Sequence, residues 1–210
     1  MNKAKMREQL IAHEGLRLEA YRDHLGNWTI GVGRNMQANP VDRELGRHVP
    51  YPVGRITNNE AMILLNNDID RFARAVQQNL SFYPRLSEPR QHVLIDMAFN
   101  LGISGLLSFR KMLQAVRDGN YGRAADEMLN SDWANQVGRR ARTLADMMRN
   151  NHSFDGIAGP VTTGGGGSTG GGTGGGGNSG GGGSTDPRDT DPGGGGPDPR
   201  DTDPGGGSWR

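Results

Sequence analysis

Three residues near the start of the chain have side chains suited to acid–base chemistry. Glu14, Asp23 and Thr29 are separated by nine and six positions. Glycoside hydrolysis requires a carboxylic acid that faces a carboxylate, because one group protonates the leaving oxygen and the other deals with water or the sugar cation. Such a spacing arises by chance in roughly a few per cent of chains this long. The elements that hold the three residues must therefore be considered.

The residues before Gly15 predict a short helix that ends at Glu14. Met6, Leu10 and Ile11 form one apolar stripe, and Gly15 is a typical helix stop. The last residue of a helix meets the negative end of the helix dipole, which disfavours an anion there. Glu14 is thus suited to act as a general acid, and a solvated residue at a helix end is the alternative.

The segment from Leu16 to about Met36 has a strand pattern. "LRLEAY" and "WTIGVG" alternate, and "DHLGN" between them has the composition of a turn. The pattern predicts a β-hairpin, with a third short strand possible. Asp23 enters the turn and Thr29 leaves it, so we expect the two side chains to face each other across the mouth of the hairpin.

A long helix is predicted to follow an irregular stretch that is rich in Pro and Gly. Thr57 and Glu60 have the spacing of a capping box. A helix of about 20 residues spans roughly 30 Å, which is enough to connect two lobes. Its apolar stripe comprises Met62, Leu65, Ile69, Phe72 and Val76.

The remaining helical patterns predict an all-helical second lobe. One helix is expected to end at Gly102, a second at Gly119, and a third lies near 124–129. The apolar spacing from Trp133 to Met148 predicts one further helix. The fold class is therefore α+β and mainly α, with a β lobe at about 15–56, a connecting helix at about 57–80 and a helical lobe at about 86–150.

The composition divides the chain at about residue 163. Of the 35 glycines, 22 lie in the last 47 positions, where Trp209 is the only hydrophobic residue. Such a segment buries too little apolar surface to offset the entropy of ordering it, so a disordered tail is predicted at 164–210. The tail contains "DPRDTDPGGG" twice, at 186 and 198. An acidic linker is favoured over a weak Ca²⁺ site.

Charge and residue usage limit the classes of partner. The 163-residue body carries 21 Lys and Arg against 17 Asp and Glu, a net charge of +4, which favours nucleic acid, lipid headgroups or an acidic wall polymer without choosing among them. No Cys is present, and no HExxH motif accompanies the five His, so we expect neither a metal nor another cofactor. No signal-like segment or long apolar run is found, so a cytosolic chain is expected.

The quoted hairpin segment closely resembles a known family. "EGLRLEAYRDHLGNWTIGVGR" is similar to the catalytic segment of the phage-type lysozymes, glycoside hydrolase family 24, typified by those of T-even phages. The similarity continues through "ITNNEAMILLNNDID", "MAFNLG", "FRKMLQAVRDGNYGRAADEM" and "SDWANQVGRRAR", and so covers about 1–150. It implies a two-lobed lysozyme-like fold and a muramidase that cuts the β-1,4 bond between N-acetylmuramic acid and N-acetylglucosamine.

The resemblance also implies roles for particular residues. Glu14 matches the proton donor, and Asp23 and Thr29 match the pair that holds the attacking water, as in an inverting hydrolysis. Four further positions match residues of the substrate cleft: Gly33, Asn35, Phe99 and Arg140. Of these, Arg140 matches an arginine that approaches the acid.

Some positions depart from the family pattern. Arg34 stands where phage lysozymes often have a His that pairs with the Asp of the long helix, here Asp68. An Arg–Asp pair is expected to keep this contact and to stay charged over the working pH range. The resemblance places Phe109 and Glu127 at cleft positions that are polar and small in the T-even enzymes, so details of sugar and peptide recognition are expected to differ.

The resemblance implies an endolysin that acts as a monomer on peptidoglycan. It would remain in the host cytoplasm until a partner such as a holin opened the membrane, and nucleic acid would not be its partner. Three rivals differ in chemistry: a lytic transglycosylase, an amidase, and an inactive wall-binding or virion module. Asp23 and Thr29 favour hydrolysis, because a transglycosylase needs only the acid.

Overall fold

The computed structural model describes residues 1–156, and its first element is the helix α1 (Lys3–Glu14). The Asn2 side chain caps the start of α1. Gly15 ends it with a φ of 76°, and its N–H donates a hydrogen bond to the carbonyl of Ile11. Because a positive φ is easily adopted only by glycine, the stop predicted at this position is confirmed.

A small antiparallel sheet follows α1. Its strands β1 (Arg17–Arg22), β2 (Trp28–Gly31) and β3 (Arg34–Asn35) lie in chain order. The predicted hairpin is β1–β2, and β3 is the third short strand. Thr29 is the register partner of Tyr21 on one side and of Asn35 on the other.

The connecting helix begins where its capping box predicts. α2 (Asp42–Leu45) is a single helical turn in the segment predicted to be irregular, and α3 (Asn58–Asn79) follows it. The Thr57 side chain accepts a hydrogen bond from the Glu60 backbone, and the Glu60 side chain accepts one from the Thr57 backbone. These reciprocal bonds satisfy two N–H groups that would otherwise lack partners.

Five helices complete the described part of the chain. A short 3-10 helix at Tyr83–Arg85 leads into them. They are α4 (Glu88–Ser108), α5 (Arg110–Arg117), α6 (Tyr121–Leu129), α7 (Asp132–Val137) and α8 (Arg139–Asn150).

Two hydrophobic clusters correspond to the two predicted lobes. The larger cluster joins α1 and α3 to the helices from α4 to α8, and Leu94, Met97 and Leu144 are wholly buried within it. The smaller cluster joins the sheet to the first turns of α3 through residues such as Ile30 and Leu64. Because α3 contributes to both clusters, it connects the lobes, and the predicted α+β architecture is confirmed.

Two helix predictions need correction, and glycine is involved in both. Helix α4 does break at Gly102, whose φ is 74°, but a helical stretch resumes after it and runs to Ser108. The single helix predicted from Trp133 to Met148 is wrong. Gly138 adopts φ 50° and ψ −102°, which divides that segment into α7 and α8. The apolar spacing continues across the break because both helices pack on the same core.

Within residues 1–156, no single helix is long and apolar enough to cross a membrane. α4 and α5 pass the length and composition test only together, and they are bent by 90° relative to each other. The predictions for the Gly-rich tail at 164–210, including its repeat, lie outside the described residues.

Candidate active site

The Glu14 side chain lies where the end of α1 meets the turn between β2 and β3. It is 18% exposed. Gly33 adopts a φ of 69°, and a Cβ built on it would lie 3.3 Å from Glu14 Oε2. Glycine at this position therefore allows the positive φ and leaves room for the carboxyl group.

Arg140 binds the Glu14 carboxylate from the first turn of α8. Its Nη1 donates to Glu14 Oε1 at 2.6 Å, and its Nε donates to Asp96 Oδ1 on α4 at 2.8 Å. Burial works to lower the pKa of Arg140, but the Asp96 and Glu14 carboxylates outweigh it and raise that pKa. The approach of Arg140 to Glu14 agrees with the family match, and Arg140 remains charged.

Asp96 is a second acid in contact with Arg140, and the sequence did not single it out. It is wholly inaccessible, and its Oδ2 accepts hydrogen bonds from His13 Nδ1 at 2.9 Å and Gln9 Nε2 at 2.7 Å. Burial works to raise its pKa, but Arg140, His13 and Gln9 outweigh that effect and lower it. Asp96 is therefore ionised, although no water reaches it.

Tyr21 lies close to both predicted carboxylates. Burial raises the pKa of its phenol, the Arg17 charge lowers it, and the charges of Glu14 and Asp23 raise it further. Tyr21 is also the register partner of Thr29. The hairpin therefore brings Asp23 and Thr29 into the neighbourhood of Glu14.

Asp23 organises the turn of the hairpin. Its Oδ1 accepts hydrogen bonds from the backbone N–H groups of Leu25 at 3.0 Å and Asn27 at 2.8 Å, and its Oδ2 accepts one from Asn27 Nδ2 at 3.2 Å. Thr29 is 3% exposed, and its hydroxyl donates to the Asn27 carbonyl at 3.3 Å. Asn27 therefore connects Asp23 to Thr29 at the hairpin mouth.

The remaining predicted cleft residues surround a narrow cavity. Gly33, Asn35 and Phe99 line a space of about 10 Å³. Asn35 Oδ1 accepts hydrogen bonds from two backbone N–H groups of the following turn. Phe99 is 2% exposed, and its ring centroid lies 5.3 Å from that of Phe72. Their roles in substrate binding stay predictions.

Arg34 connects the sheet to α3 as expected. Its Nη1 lies 3.2 Å from Asp68 Oδ1, and its Nη2 contacts Glu44. The expectation that this pair stays charged is wrong for Asp68. Burial outweighs the neighbouring Arg34 and Arg71 guanidinium groups and raises the pKa of Asp68 to about 6.

The two predicted departures in the cleft lie in the helical lobe. Phe109 joins α4 to α5 and packs edge-on against Trp133, with ring centroids 5.8 Å apart. Glu127 on α6 faces Arg123 at 3.7 Å. Phe109 thus contributes to packing, and its place in the cleft stays a prediction.

The polar residues behind Glu14 had only a weak sequence signal. Asp96 interrupts the apolar run "VLIDMAF", and a charged residue in such a run indicates a buried partner. His13 had no such signal, because the five His were considered only together, as possible metal ligands. Among residues 1–156, no group of three or more His, Asp or Glu side chains is arranged to hold a metal ion.

A small β lobe, a long connecting helix and a helical lobe, with an acid at the end of α1 that is held by an arginine of α8, define the lysozyme-like class of α+β hydrolases. The family model described as phage lysozyme matches residues 11–151, and the chain belongs to that family. The match includes Glu14, Asp23, Thr29, Asp96 and Arg140.

Curated relatives come from phages and from an amoeba. The chain is 26% identical over 161 residues to the probable T4-type lysozyme 1 of Dictyostelium discoideum, which covers 69% of this chain and 94% of that protein. It is 31% identical over 160 residues to the pre-baseplate central spike protein Gp5 of Enterobacteria phage T4, covering 70% of this chain but 28% of that protein. An endolysin of Acyrthosiphon pisum secondary endosymbiont phage 1 is 26% identical over 128 residues, covering 61% of this chain and 77% of the relative.

Proposed function

We propose that this lysozyme hydrolyses the β-1,4 bond between N-acetylmuramic acid and N-acetylglucosamine in peptidoglycan, with Glu14 as the general acid. Membership of the phage lysozyme family makes the chain a lysozyme hydrolase and peptidoglycan its substrate. The observation that supports Glu14 is its position at the end of α1, partly exposed and held by Arg140 under Gly33.

Asp23 and Thr29 are proposed to hold the attacking water. Both are tied to Asn27, and both are close to Tyr21, whose phenol is influenced by the charges of Asp23 and Glu14. In an inverting hydrolysis, the water attacks the sugar on the side opposite the leaving oxygen. A carboxylate and a hydroxyl in one neighbourhood can accept a proton from that water and orient it.

The neighbouring residues are proposed to shape the sugar site. Gly33 is the position where a side chain would meet the Glu14 carboxyl group. Asn35 pairs with Thr29 in the sheet, and Phe99 lines the same small cavity as Gly33 and Asn35. Arg140 orients Glu14 directly through the 2.6 Å hydrogen bond.

The test of the acid is Glu14→Gln, which keeps the size of the side chain and removes the proton that it donates. We expect the rate of release of reducing sugar ends from purified peptidoglycan to fall by at least about 10²-fold, as for loss of a general acid. Glu8→Gln is a matched control, because Glu8 is an exposed residue of the same helix. Clearing at the wild-type rate by Glu14→Gln would refute the assignment.

Mass spectrometry of the digested glycan separates the possible chemistries. Hydrolysis by a muramidase gives N-acetylmuramic acid at the new reducing ends. A lytic transglycosylase would give anhydromuramic ends, an amidase would release peptides, and a wall-binding module would release nothing. Products with anhydro ends would contradict the water-holding roles of Asp23 and Thr29 while leaving Glu14 as an acid.

The biological role proposed is lysis of the host by a monomeric endolysin. The similarity to an endolysin supports this role, and access to the wall would follow a membrane lesion of the holin type. Expression in host cells should cause lysis only after the membrane is permeabilised. The similarity to a central spike protein favours one alternative, a lysozyme carried in the virion, and detection of the chain in purified particles would support that alternative.

A further inference from the structure

A cluster of polar side chains lies next to Glu14 and contains Arg140, Asp96, His13 and Gln9. It holds a second carboxylate, Asp96, in addition to Glu14. Arg140 bridges two carboxylates in this cluster, Glu14 at 2.6 Å and Asp96 at 2.8 Å. The Arg140 side chain is 8% exposed and the Asp96 side chain is 0% exposed. Charges this far from water interact strongly because little solvent screens them.

The donors around Asp96 indicate that its carboxylate is maintained as an anion. Gln9 donates Nε2 to Asp96 Oδ2, although this orientation leaves Gln9 Oε1 buried without a partner among the described residues. A buried acceptor without a hydrogen bond is unfavourable. The reversed amide would place that oxygen against the carboxylate, so the observed orientation fits an ionised Asp96.

The geometry also limits how Asp96 can act on catalysis. Asp96 is not exposed and contacts Glu14 only through Arg140. The guanidinium uses separate nitrogen atoms for the two acids, Nε for Asp96 and Nη1 for Glu14. Asp96 therefore fixes the plane of Arg140, and its negative charge offsets the positive charge that Glu14 experiences.

We propose that Asp96 is a positioning residue that orients Arg140 toward Glu14 and offsets the charge of Arg140, so that Glu14 can keep its proton until a glycosidic oxygen is in place. This inference rests on the proposed role of Glu14 as the general acid. An uncompensated arginine would favour the Glu14 carboxylate, the form that cannot donate. Asp96 weakens that effect without loosening the hydrogen bond.

Charged and titratable groups lie around Glu14 on several elements, and the test must change only Asp96 and Arg140 among them. Arg17 stacks on the Tyr21 ring, with its guanidinium carbon 4.4 Å from the ring centroid. The groups are Arg140 on α8, Asp96 on α4, His13 on α1, Arg17 and Tyr21 on β1, and Asp23 in the hairpin turn.

Asp96→Asn is the principal variant, because it removes the charge and keeps an oxygen for Arg140 Nε. The Gln9 amide can then reverse and accept from the new amide group, which favours folding. We expect the alkaline limb of the pH profile of kcat to move to lower pH by about one unit, as for loss of a nearby like charge. The KM should change less than about twofold, because Asp96 does not reach the substrate.

A double-mutant cycle with Arg140→Gln measures the effect of the Asp96 charge on Glu14 a second time. Without the cation, Glu14 faces the negative charge of Asp96 alone, and adding Asp96→Asn to Arg140→Gln should again lower the alkaline limb by about one unit. The effect of Asp96→Asn is thus compared in the wild type and in Arg140→Gln, and one of these two comparisons is sufficient if a variant needed for the other does not fold. Asp126→Asn is the matched control, because its carboxylate is 67% exposed and pairs with Arg149; its pH profile should match the wild type.

Carbon-13 NMR of the Glu14 carboxyl group distinguishes failure of this inference from failure of the proposed function. If Asp96→Asn moves the titration midpoint of that carboxyl group but leaves the pH profile of kcat unchanged, Asp96 acts on Glu14 as inferred and Glu14 is not the acid. If neither the midpoint nor the profile moves in either comparison, the inference is wrong. A fall in kcat that is equal at every pH would also overturn it, since a merely structural role predicts that result.

Discussion

Two buried aspartates in this lysozyme face arginines, and yet their pKa values are shifted in opposite directions. Asp96 in the helical lobe is 0% exposed, and Asp68 on the connecting helix is 3% exposed. Burial works to raise both pKa values, but the pKa of Asp96 is lowered and that of Asp68 is raised to about 6. Burial alone therefore does not decide the charge of a carboxylate in this fold.

The difference comes from the groups that surround each carboxylate. Asp96 accepts hydrogen bonds from three side chains, Arg140, His13 and Gln9. Asp68 has Arg34 and Arg71 beside it, but the Glu44 carboxylate also faces that cluster and raises the pKa of Asp68. Three side chains donate to Asp96 and oppose the effect of its burial, whereas two arginines contact Asp68, and the Glu44 carboxylate adds to the effect of burial there.

The largest expected effect is a difference in stability between variants of Arg140 and Arg34. Arg140→Met should lower the free energy of unfolding by about 3–5 kcal/mol at pH 7, because it leaves the buried Asp96 charge without its cation. Arg34→Met should cost about 1–2 kcal/mol, because Asp68 keeps Arg71 at 2.9 Å and can take up a proton near pH 6. Urea unfolding of both variants at pH 7 measures the difference.

This ranking has a pH control. At pH 5 the loss in Arg34→Met should shrink, because Asp68 is then largely protonated and needs no cation. The loss in Arg140→Met should change less between pH 7 and pH 5, because His13 and Gln9 still donate hydrogen bonds to the Asp96 carboxylate. Equal losses in the two variants at both pH values would contradict the contrast between the clusters.

A second prediction concerns the sign of the Asp68 contribution. The pKa of Asp68 is about 6 in the folded protein against an ordinary 3.8. Its favourable contribution is therefore fully present below about pH 4 and is lost as the pH rises through about 6. Relative to Asp68→Asn, the wild type should lose up to about 3 kcal/mol of stability between pH 4 and pH 7, since each pKa unit corresponds to about 1.4 kcal/mol.

Urea unfolding of the wild type and of Asp68→Asn at intervals between pH 4 and pH 8 measures that difference directly. Asp70→Asn is the control on the same helix, because Asp70 is partly exposed and pairs with Lys3. A difference between the wild type and Asp68→Asn that stays constant with pH would mean that the two arginines hold Asp68 ionised throughout.

A smaller effect is expected one helical turn away from Asp96. His92 on α4 is 1% exposed, and neither ring nitrogen has a hydrogen-bond partner within residues 1–156. Burial lowers the pKa of His92, so its contribution to stability is present above pH 6.5 and is lost as the pH falls through the lowered value. His92→Leu should therefore gain about 1 kcal/mol more at pH 5 than at pH 8. Chemical unfolding at the two pH values tests this, and equal gains would show that protonation is not involved.

Local sequence signals correctly predicted helix ends that position the site. Gly15 and the capping box of Thr57 and Glu60 act through neighbouring backbone atoms, so their patterns are visible in a single segment. Gly138 was missed because the apolar spacing continues across it. A break between two helices that pack on one core leaves the periodicity almost unchanged.

The charge network could not be predicted in the same way. His13, Asp96 and Arg140 lie on three different helices, and no local pattern relates them. Resemblance to the family led to Arg140, and composition offered only the oddity of Asp96 in an apolar run. The proton affinity of Asp68 was misjudged because the sequence shows an Arg–Asp pair without its burial or the approach of Glu44.

The span of the Arg140 contacts has a consequence for the order of folding. Its two carboxylate partners lie 126 and 44 positions earlier in the chain. Contacts between distant positions carry a large loop-closure entropy and tend to form late. During synthesis, the acid at position 14 is made first, but it lacks its arginine until the eighth helix has emerged and docked. The chain therefore gains its complete cluster only when nearly all of the described residues have folded.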